Sequence, residues 1–505
     1  METIWQRLLS GTDVRGVASG NQREITLTDD VVSAIARGYA GWLAEKTGKP
    51  CGKLKIGVGY DCRESSPRIN RAVCGALSRL GASVFASGLS STPAMFNMTV
   101  GMGLDGAIQI TASHHPQDRN GMKFFTRSGG VNHDDLENIL LRCEGEDPPT
   151  ETASPGKITK SPYMPKYAAG LREIIMREVS AENYKRPLEG FKLAVDAGNG
   201  VGGFYAHDVL EPLGADISGS VFLEPDGAFP NHIPNPEDKT AMESVRGAVL
   251  GSGADLGIIF DTDVDRAAVV DADGIEINRN RLIALAAVIA LEKSPGGTIV
   301  TDSVTSSGIK DFIEQKLGGK HYRYRRGYRN VITKAEELNA QGVDCPLAIE
   351  TSGHAAMREN LFLDDGAYLV TKIIIKLAQL RGSGENLSEL TAGLETPADE
   401  AEIRVPITAQ DFRARGHQIL ESVKRMAETV DGWGLADDNR EGIRVYEADG
   451  SGWFMLRVSV HDPLIPVNME SEKKNGCKHL ARQILLTLDG FDGIDLQPLK
   501  TYCDQ

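Results

Sequence analysis

Short apolar runs alternate with polar segments along most of the chain. The runs at 55–60, 192–195 and 298–300 each pass through a turn into a helix-like segment that closes on glycine. An apolar strand, a turn and a helix ending at glycine form the pattern of a βα unit. The pattern therefore predicts three α/β blocks that share one plan.

A second apolar run in each block leads into a loop of reactive side chains. Residues 106–110 precede Thr-Ala-Ser-His-His, residues 256–260 precede Asp-Thr-Asp-Val-Asp-Arg, and residues 346–349 precede Glu-Thr-Ser-Gly-His. Ligands of open α/β sheets bind at the carboxyl ends of the strands. We therefore expect the three loops to converge on one cleft between domains.

The last part of the chain has a different pattern. Residues 395–402 are rich in acidic side chains and contain a proline, and we interpret them as a linker. A helix over 412–430 and alternating strands at 442–448 and 452–462 follow. This order of elements predicts a smaller α+β domain from about residue 396 to the end.

Composition narrows the function classes. The 505 residues are too many for one core, which suggests several domains. The 70 acidic against 55 basic residues give a net charge of −15, which argues against a general binder of nucleic acid or of an anionic membrane. No signal-peptide pattern and no run of about 18 apolar residues occurs, and the seven cysteines are scattered. We therefore expect a cytoplasmic protein, without nucleic-acid or membrane partners, whose substrates can be small anions.

The first reactive loop places a serine at a strand end. Ser113 follows the apolar run and precedes His114, His115 and Lys123. A serine in this position either satisfies its own backbone in a polar turn or presents its hydroxyl to a ligand. Both interpretations remain open from this loop alone.

The second loop carries three carboxylates two residues apart. In a tight loop, Asp261, Asp263 and Asp265 can turn toward one hard cation, and oxygen ligands suit Mg²⁺. Arg266 beside them fits an anion that also touches the metal. The alternative is a solvated acidic turn, which the apolar run immediately before the loop disfavours.

Two further segments carry weaker signals. Glu350, Ser352 and His354 can hold sugar hydroxyls, and His354 can also act as an acid or base. Arg15 lies between a valine and a glycine and can grip a phosphate. A helix-capping loop and a surface arginine are the respective alternatives.

Two motifs point to other enzymes and are disfavoured. Residues 198–203 fit the dinucleotide fingerprint G-x-G-x-x-G, with Glu224 downstream, but the unit lies in mid-chain and a Pro-rich segment follows. Asp261-Thr-Asp263 after an apolar run resembles the nucleophile loop of haloacid-dehalogenase-type phosphatases. Those enzymes require Thr or Val where this chain has Asp265.

Taken together, these loops resemble the α-D-phosphohexomutase family, in order and over nearly the whole chain. TASHHP with NGMK resembles the phosphoserine loop TASHNP with NGxK, DTDVDR resembles the metal loop DGDGDR, and ETSGH resembles the sugar loop GExSGH. GTDVRG, GYDCRESS, VDAGNGVGG and PDGAFPNHIPNPE resemble further family segments. Several ordered matches of this length are a specific signal, whereas any one of them alone is weak.

The resemblance implies an α/β fold with three similar α/β domains with mixed sheets plus a smaller C-terminal α+β domain around a central cleft. The expected domains are a phosphoserine-loop domain at 1–160, a metal-binding-loop domain at 161–275, a sugar-binding-loop domain at 276–395 and a phosphate-binding C-terminal domain at 396–505.

The resemblance also implies an isomerase that interconverts hexose 1-phosphate and hexose 6-phosphate, of mannose and/or glucose, through a phosphoserine and a bisphosphate intermediate. The implied cofactors are Mg²⁺ and a hexose 1,6-bisphosphate as activator. Small sugar phosphates are the expected ligands, and the chain is expected to be a monomer or a homodimer.

The family motifs assign roles to individual positions of this chain. Ser113 is the implied phosphoryl carrier and, with Asp261, Asp263 and Asp265, an implied metal ligand. The other implied catalytic side chains are Lys123, Arg15 and His354. The implied substrate-binding residues are Arg266, Arg329, Glu350, Ser352, His354, Arg457, Ser459 and His461.

The chain departs from the family pattern in its phosphate loop. The family's R-P-S-G/N-T-E-P is here Arg457-Val-Ser459-Val-His461-Asp-Pro, so His461 takes the place of the threonine. We expect Arg457 to remain the main phosphate anchor and His461 to supply the lost donor. Two alternatives remain. One is a phosphoglucosamine mutase, which Thr111 and Thr351 disfavour, and the other is a non-catalytic sugar-phosphate binding protein.

Overall fold

The strands of the protein fall into successive sheets along the chain. The computed structural model describes residues 3–20, 23–144, 151–381, 385–459 and 462–505. Within these ranges the strands form four sheets, of which the first three are mixed and the fourth is antiparallel. The predicted fold class, three similar α/β blocks followed by a smaller α+β unit, is confirmed.

The first sheet places the serine loop at the end of a central strand. Its parallel core is made by β3, β4 and β5, and β6 adds antiparallel to β5. The strands are β1 (Leu9–Ser10), β2 (Asp13–Val17), β3 (Lys55–Tyr60), β4 (Ser83–Leu89), β5 (Gly106–Ile110), β6 (Arg119–Thr126), β7 (Gly129–Gly130) and β8 (Ile158–Lys160). Every residue of β5 is buried because helices cover both faces of the sheet.

The longest helix of this block is capped at both ends. In the longest helix, the Thr28 side chain accepts a hydrogen bond from the Val31 N–H, and the helix ends at Gly48 with φ of 66°. The helices are α1 (Ile4–Leu8), α2 (Asp29–Thr47), α3 (Ser66–Arg79), α4 (Thr92–Gly101) and α5 (His133–Glu144), with a 3₁₀ turn at Cys51–Lys53.

The second sheet carries the aspartate loop between two of its strands. Its order is β12, β11, β10, β9, and β10 runs parallel to β9 and antiparallel to β11. The elements are α6 (Met164–Val179), β9 (Leu193–Asp196), α7 (Lys239–Ser252), β10 (Leu256–Phe260), β11 (Ala267–Asp271) and β12 (Glu276–Ile277). The helix predicted over 203–215 forms a π-helix at Tyr205–Leu210 and a 3₁₀ turn at Glu211–Leu213, because Pro212 cannot continue the α-helical hydrogen bonds.

The third sheet repeats the plan and carries the sugar loop. Its order is β14, β13, β15, β16, β17, with a parallel centre and antiparallel β16 and β17. The elements are α8 (Arg279–Lys293), β13 (Thr298–Thr301), α9 (Ser307–Asp311), β14 (Lys320–Arg323), α10 (Tyr328–Ala340), β15 (Leu347–Ile349), β16 (Ala355–Met357), β17 (Leu363–Asp364), α11 (Gly366–Leu380) and α12 (Leu387–Leu390), with a π-helix at Phe312–Lys316 and a 3₁₀ turn at Arg358–Asn360.

Two of these helices join the second and third blocks into one core. The segment 282–291 of α8 is buried throughout, and α11 is buried over nearly its whole length. A helix that is apolar on all sides belongs in the interior of a protein. The hydrophobic core therefore runs without interruption from α4 and α6 through the second sheet to α8 and α11. No helix in the described ranges is long and apolar enough to cross a membrane.

The C-terminal unit has its own core and corrects the predicted linker. Residues 399–406 form a strand that pairs with β22 along its whole length, with Glu400 and Glu402 on the outer face and Asp399 accepting from the Cys477 N–H of α14. The strand predicted over 452–462 ends at Leu456 because the next position pairs against Pro466, which has no N–H to donate. The elements are β18 (Asp399–Pro406), α13 (Phe412–Ala427), β19 (Trp433–Leu435), β20 (Ile443–Glu447), β21 (Gly452–Leu456), β22 (Leu464–Ser471), α14 (Gly476–Leu488) and α15 (Gln497–Asp504).

Candidate active site

Ser113 lies three residues beyond β5 in a constrained conformation. Its φ is 50°, in the left-handed region that few non-glycine residues adopt. The Ser113 N–H donates to the Thr111 hydroxyl at 2.9 Å, which holds the turn. The Ser113 hydroxyl donates to Asp261 Oδ2 at 2.8 Å and accepts from Arg266 Nη2 at 3.0 Å. The serine of the first block is thus brought against the aspartate loop of the second, as the sequence predicts.

A buried arginine that the sequence analysis did not single out holds the serine loop. Arg63 is fully buried, and its Nε donates to Asp61 at 3.2 Å. Its Nη atoms donate to the carbonyl oxygens of Ser113, His115, Pro116 and Arg119. These oxygens come from one loop, so a single guanidinium fixes its shape. The segment GYDCRESS, quoted above only as a family segment, contains Arg63, but nothing in it indicates which loop the arginine holds.

The three aspartates of the second loop converge. One carboxylate oxygen from each of Asp261, Asp263 and Asp265 lies within 4.8 Å of the others, and all three side chains are buried. The turn requires a φ of 69° at Val264, which is rare for a β-branched residue. Its carbonyl accepts from the Gly366 N–H at 3.1 Å, so α11 holds the turn in place.

The charges of this loop are only partly compensated within the chain. Burial, followed by repulsion from Asp265, raises the pKa of Asp261 to about 7. Burial also raises the pKa of Asp263, whose Oδ2 accepts from the Thr92 hydroxyl. Among the described residues, Asp263 Oδ1 and Asp265 Oδ1 have no hydrogen-bond partner. Buried carboxylate oxygens without donors are what a hard divalent cation binds, so the residues fit Mg²⁺.

Two cations complete the cluster. Lys123, on β6, forms an ion pair with Asp265 and lies 3.7 Å from Asp263. Arg266 donates to Asp261 and, at 2.6 Å, to His114 Nδ1. The Arg266 guanidinium, followed by burial, holds the pKa of His114 far below its usual range, so this imidazole is neutral.

Arg15 approaches the same loop from β2. Its guanidinium donates to the Thr111 carbonyl and, at 2.7 Å, to Asp13 Oδ2. Because Thr111 precedes Ser113 by two residues, Arg15 lies at the base of the serine loop. The candidate catalytic residues Ser113, Lys123 and Arg15 are therefore neighbours.

The sugar loop of the third block reaches the cluster through His354. His354 Nδ1 lies 2.6 Å from Asp364 Oδ2, and one ring nitrogen of His354 lies within 4.8 Å of one carboxylate oxygen of Asp265. Burial lowers the pKa of His354, but Asp364 and then Asp265 outweigh it and raise the pKa to about 9. Asp364 lies ten residues after His354, and the sequence analysis did not identify it.

The other two residues of this loop lie beside the start of α10. Glu350 Oε1 accepts from the Gly327 N–H at 2.6 Å, and Glu350 Oε2 accepts from the Ser352 hydroxyl at 3.4 Å. Burial and the neighbouring Asp302 raise the pKa of Glu350 to about 7. A buried carboxyl of this kind can accept hydrogen bonds from sugar hydroxyls once the cleft is filled.

Among the described residues, the remaining predicted substrate residues lie in the C-terminal unit and on α10. Arg457 follows β21, and burial lowers its pKa while the nearby Glu441 opposes the shift. Ser459 accepts from the Asp462 N–H at 3.2 Å, and His461 lies outside the described residues. Arg329, on α10, ion-pairs with Glu336 at 3.2 Å.

Two glutamates, Glu237 and Glu441, connect the aspartate loop with the C-terminal unit through arginines. Glu237 lies 3.6 Å from both Arg266 Nη1 and Arg326 Nη2. The Arg326 N–H in turn donates to Glu441 of the C-terminal unit at 3.0 Å. The same Glu441 accepts from the Ser303 hydroxyl after β13. The two ends of the cleft are thus connected by side chains of three sheets.

Comparison with known proteins places these features in a family. Three family models match in order: "Phosphoglucomutase/phosphomannomutase, alpha/beta/alpha domain I" at 7–147, domain II at 165–274 and domain III at 278–397. A Neisseria gonorrhoeae phosphoglucomutase is 27% identical over 490 residues, covering 97% of this chain and 98% of that protein. A Pseudomonas aeruginosa phosphomannomutase/phosphoglucomutase is 28% identical over 473 residues, covering 93% of each.

The fold comparison agrees with the sequence comparison. The crystal structure of a phosphoglucomutase/phosphomannomutase family protein from Burkholderia thailandensis superposes with a TM-score of 0.80. It is 24% identical, and the match covers 97% of this chain and 99% of that one. The superposition includes the C-terminal unit, which lies beyond the three family models.

Proposed function

The chain belongs to the phosphoglucomutase/phosphomannomutase family, and we propose that it interconverts hexose 1-phosphate and hexose 6-phosphate of mannose and/or glucose through a phosphoserine. The observation that carries this proposal is the position of the Ser113 hydroxyl. It lies between a carboxylate of the aspartate loop and the Arg266 guanidinium. An oxygen placed among cations and metal-binding carboxylates is suited to carry a phosphoryl group.

The proposed reaction consumes no external phosphoryl donor, because the phosphoryl group that leaves Ser113 is replaced at the end of each cycle. The bond between phosphorus and Ser113 Oγ breaks, a bond between phosphorus and a free sugar hydroxyl forms, and the hydroxyl proton passes to a base. The product is a hexose 1,6-bisphosphate. The bisphosphate then reorients within the cleft. Its other phosphoryl group is transferred to Ser113 Oγ, and the second hexose phosphate leaves.

The residues of the cleft divide this work. Arg266, Lys123 and Arg15 offset the charge of the transferring group. His354, with its Nδ1 toward Asp364, is the proposed acid or base on the sugar side. Glu350 and Ser352 bind sugar hydroxyls, while Arg457, Ser459, His461 and Arg329 are proposed to bind the phosphate that does not react.

We propose Mg²⁺ as the resident metal, held by Asp261, Asp263, Asp265 and an oxygen of the phosphorylated Ser113. The two carboxylate oxygens without partners in the described chain support this choice of ligands. When bound, the ion supplies positive charge that stabilises the transferring phosphoryl group. Because the cycle starts from phosphorylated enzyme, a hexose 1,6-bisphosphate is the proposed activator.

A side-by-side assay tests the proposal. The purified chain is incubated with Mg²⁺ and glucose 1-phosphate, mannose 1-phosphate or glucosamine 1-phosphate, each with its 1,6-bisphosphate. We expect conversion of the glucose or mannose compound to its 6-phosphate. Preference for the glucosamine compound would indicate a phosphoglucosamine mutase. Binding without conversion of any of the three would indicate a non-catalytic sugar-phosphate protein.

The partners and the location of the enzyme are proposed from its composition. Small sugar phosphates are its ligands, and the excess of acidic residues disfavours nucleic acid and anionic membranes. We propose a cytoplasmic location and a monomer or homodimer. Size-exclusion chromatography with light scattering tests the oligomeric state.

A further inference from the structure

One aromatic side chain touches both Lys123, proposed to offset the charge of the transferring group, and His354, the proposed acid or base on the sugar side. Tyr328 is the first residue of α10. Its ring lies 5.1 Å from Lys123 Nζ, over the ring face. It also stacks on the His354 imidazole, with centroids 5.2 Å apart and planes inclined by 23°. Lys123 belongs to the first block and His354 to the third, so Tyr328 contacts side chains of two blocks.

The phenol end of the ring is anchored in the first block. The Tyr328 hydroxyl donates to Asp13 Oδ1 at 3.1 Å and accepts from the Thr12 hydroxyl at 3.1 Å. The other oxygen of Asp13 holds Arg15. Tyr328 therefore contacts Lys123 and His354 directly and reaches Arg15 through one carboxylate.

The backbone beside the ring is fixed as well. Gly327, just before the helix, has a φ of 115° and donates its N–H to Glu350. A side chain at this position would be strained, so the turn into α10 depends on glycine. The ring thus enters the cleft from an anchored helix start.

We propose that Tyr328 is a positioning residue that fixes the distance between Lys123 and His354. The proposal deepens the proposed function and rests on it. A lysine on a flexible four-carbon stem has many rotamers, and the ring face restricts where its ammonium can lie. Asp364 binds His354 Nδ1 and the tyrosine ring covers its face, which leaves Nε2 as the nitrogen presented to a bound sugar.

Three variants of the full-length chain test this role. Tyr328→Leu removes the ring, Tyr328→Phe keeps the ring and loses the two hydroxyl contacts, and Tyr324→Leu is the control. Tyr324 belongs to the same block, and its ring lies 5.0 Å from Lys334. The readout is kcat and KM for a hexose 1-phosphate, with melting temperatures measured in parallel.

The expected result is a loss in kcat rather than in KM. Because misplacing a reacting group by about 1 Å costs on the order of a hundredfold in rate, Tyr328→Leu should lower kcat by about that factor. KM should change by less than about threefold, and Tyr328→Phe should retain more than about a tenth of kcat. The control should keep its kcat. A Tyr328→Leu protein as active as the control would overturn the inference.

A double-mutant cycle separates positioning from a general structural role. If Tyr328 acts through His354, then Tyr328→Leu should lower kcat by less than about threefold in a His354→Ala background. Losses that multiply independently would overturn the proposal. Should Tyr328→Leu fail to fold, Tyr328→Met is used in the same cycle with the same expectation.

The outcomes distinguish the two levels of inference. A wild-type chain that converts no hexose phosphate would overturn both the proposed function and the role of Tyr328. An active wild-type chain, combined with kcat unaffected by loss of the ring, would overturn only the role of Tyr328.

Discussion

The serine–aspartate cluster and the Arg457 loop both handle charge, and they do so in opposite ways. In the cluster, Ser113, Lys123 and Arg266 each have a partner from another part of the chain. Arg457 follows a strand of the C-terminal sheet, and its Nε has no hydrogen-bond partner among the described residues. The cluster is assembled before substrate arrives, whereas the loop leaves a donor for an anion.

This difference assigns different energetic roles to the two regions. Donors fixed in advance lower the barrier of a reaction because they need not reorganise in the transition state. A cationic side chain that gains its partner only on binding contributes mainly to affinity. We therefore expect substitutions in the cluster to lower kcat and substitutions in the loop to raise KM.

Removing the serine hydroxyl should have the largest effect. Ser113→Ala should lower turnover by about a thousandfold or more, because no oxygen remains to carry the phosphoryl group. Intact-mass spectrometry after incubation with a hexose 1,6-bisphosphate should show added phosphate on every protein that retains Ser113 and none on Ser113→Ala. Ser128→Ala, in an exposed turn of the same block, is the matched control. Full activity of Ser113→Ala would contradict the mechanism.

Weakening the aspartate loop should have the next largest effect. Asp263→Asn replaces a ligand of a hard cation by a poorer one and should lower kcat by about a hundredfold with little change in melting temperature. Asp273→Asn, at an exposed position of the same block, is the control. Dialysis against a chelator should abolish activity, and Mg²⁺ should restore it. Unchanged activity in excess chelator would refute the metal site.

The Arg457 loop should respond in KM. Arg457→Ala should raise KM for a hexose 1-phosphate about tenfold and change kcat by less than about threefold, because the lost contact is made equally in the ground and transition states. Arg404→Ala, an exposed arginine paired with Glu402, should be neutral. If kcat falls and KM does not, the contrast between the two regions is wrong.

The smallest effect concerns the pH dependence of stability. His354 has a folded-state pKa of about 9, above its ordinary value. Burial lowers this pKa, and the Asp364 carboxylate is the largest of the effects that raise it. Its contribution to stability is complete below the unfolded-state value of about 6.5 and is lost as pH rises toward 9. Asp364→Asn should flatten this decline. Thermal unfolding between pH 6.5 and 9 measures it, and parallel wild-type and variant curves would contradict the assignment.

Sequence patterns predicted the local features of the site well. The strands before the three reactive loops were expected almost to the residue, because short buried strands carry a continuous apolar signal. Ser113 and the aspartates were found because their motifs lie within single loops. Their convergence, although they follow strands of two different sheets, was expected because ligands of α/β sheets bind at the carboxyl ends of strands, which can face one cleft between domains.

The supporting residues could not be predicted in the same way. Arg63 acts on a loop about fifty residues away, and Tyr328 contacts Asp13, 315 residues before it. Neither position has a local pattern that names its partner. The left-handed turn at Val264 was also unexpected, since a β-branched residue gives no sequence signal for that conformation.

The continuous core of the second and third blocks constrains how the chain is made. α11 packs on α6, α8 and β11, although it follows the aspartate loop by about a hundred residues. During synthesis, α8 therefore leaves the ribosome with an apolar surface that remains open until α11 appears. An enzyme truncated directly after α8 would expose this surface permanently and should aggregate. A nascent chain paused at the same point should show the same tendency to aggregate, whereas the C-terminal unit has a separate core and leaves the ribosome last.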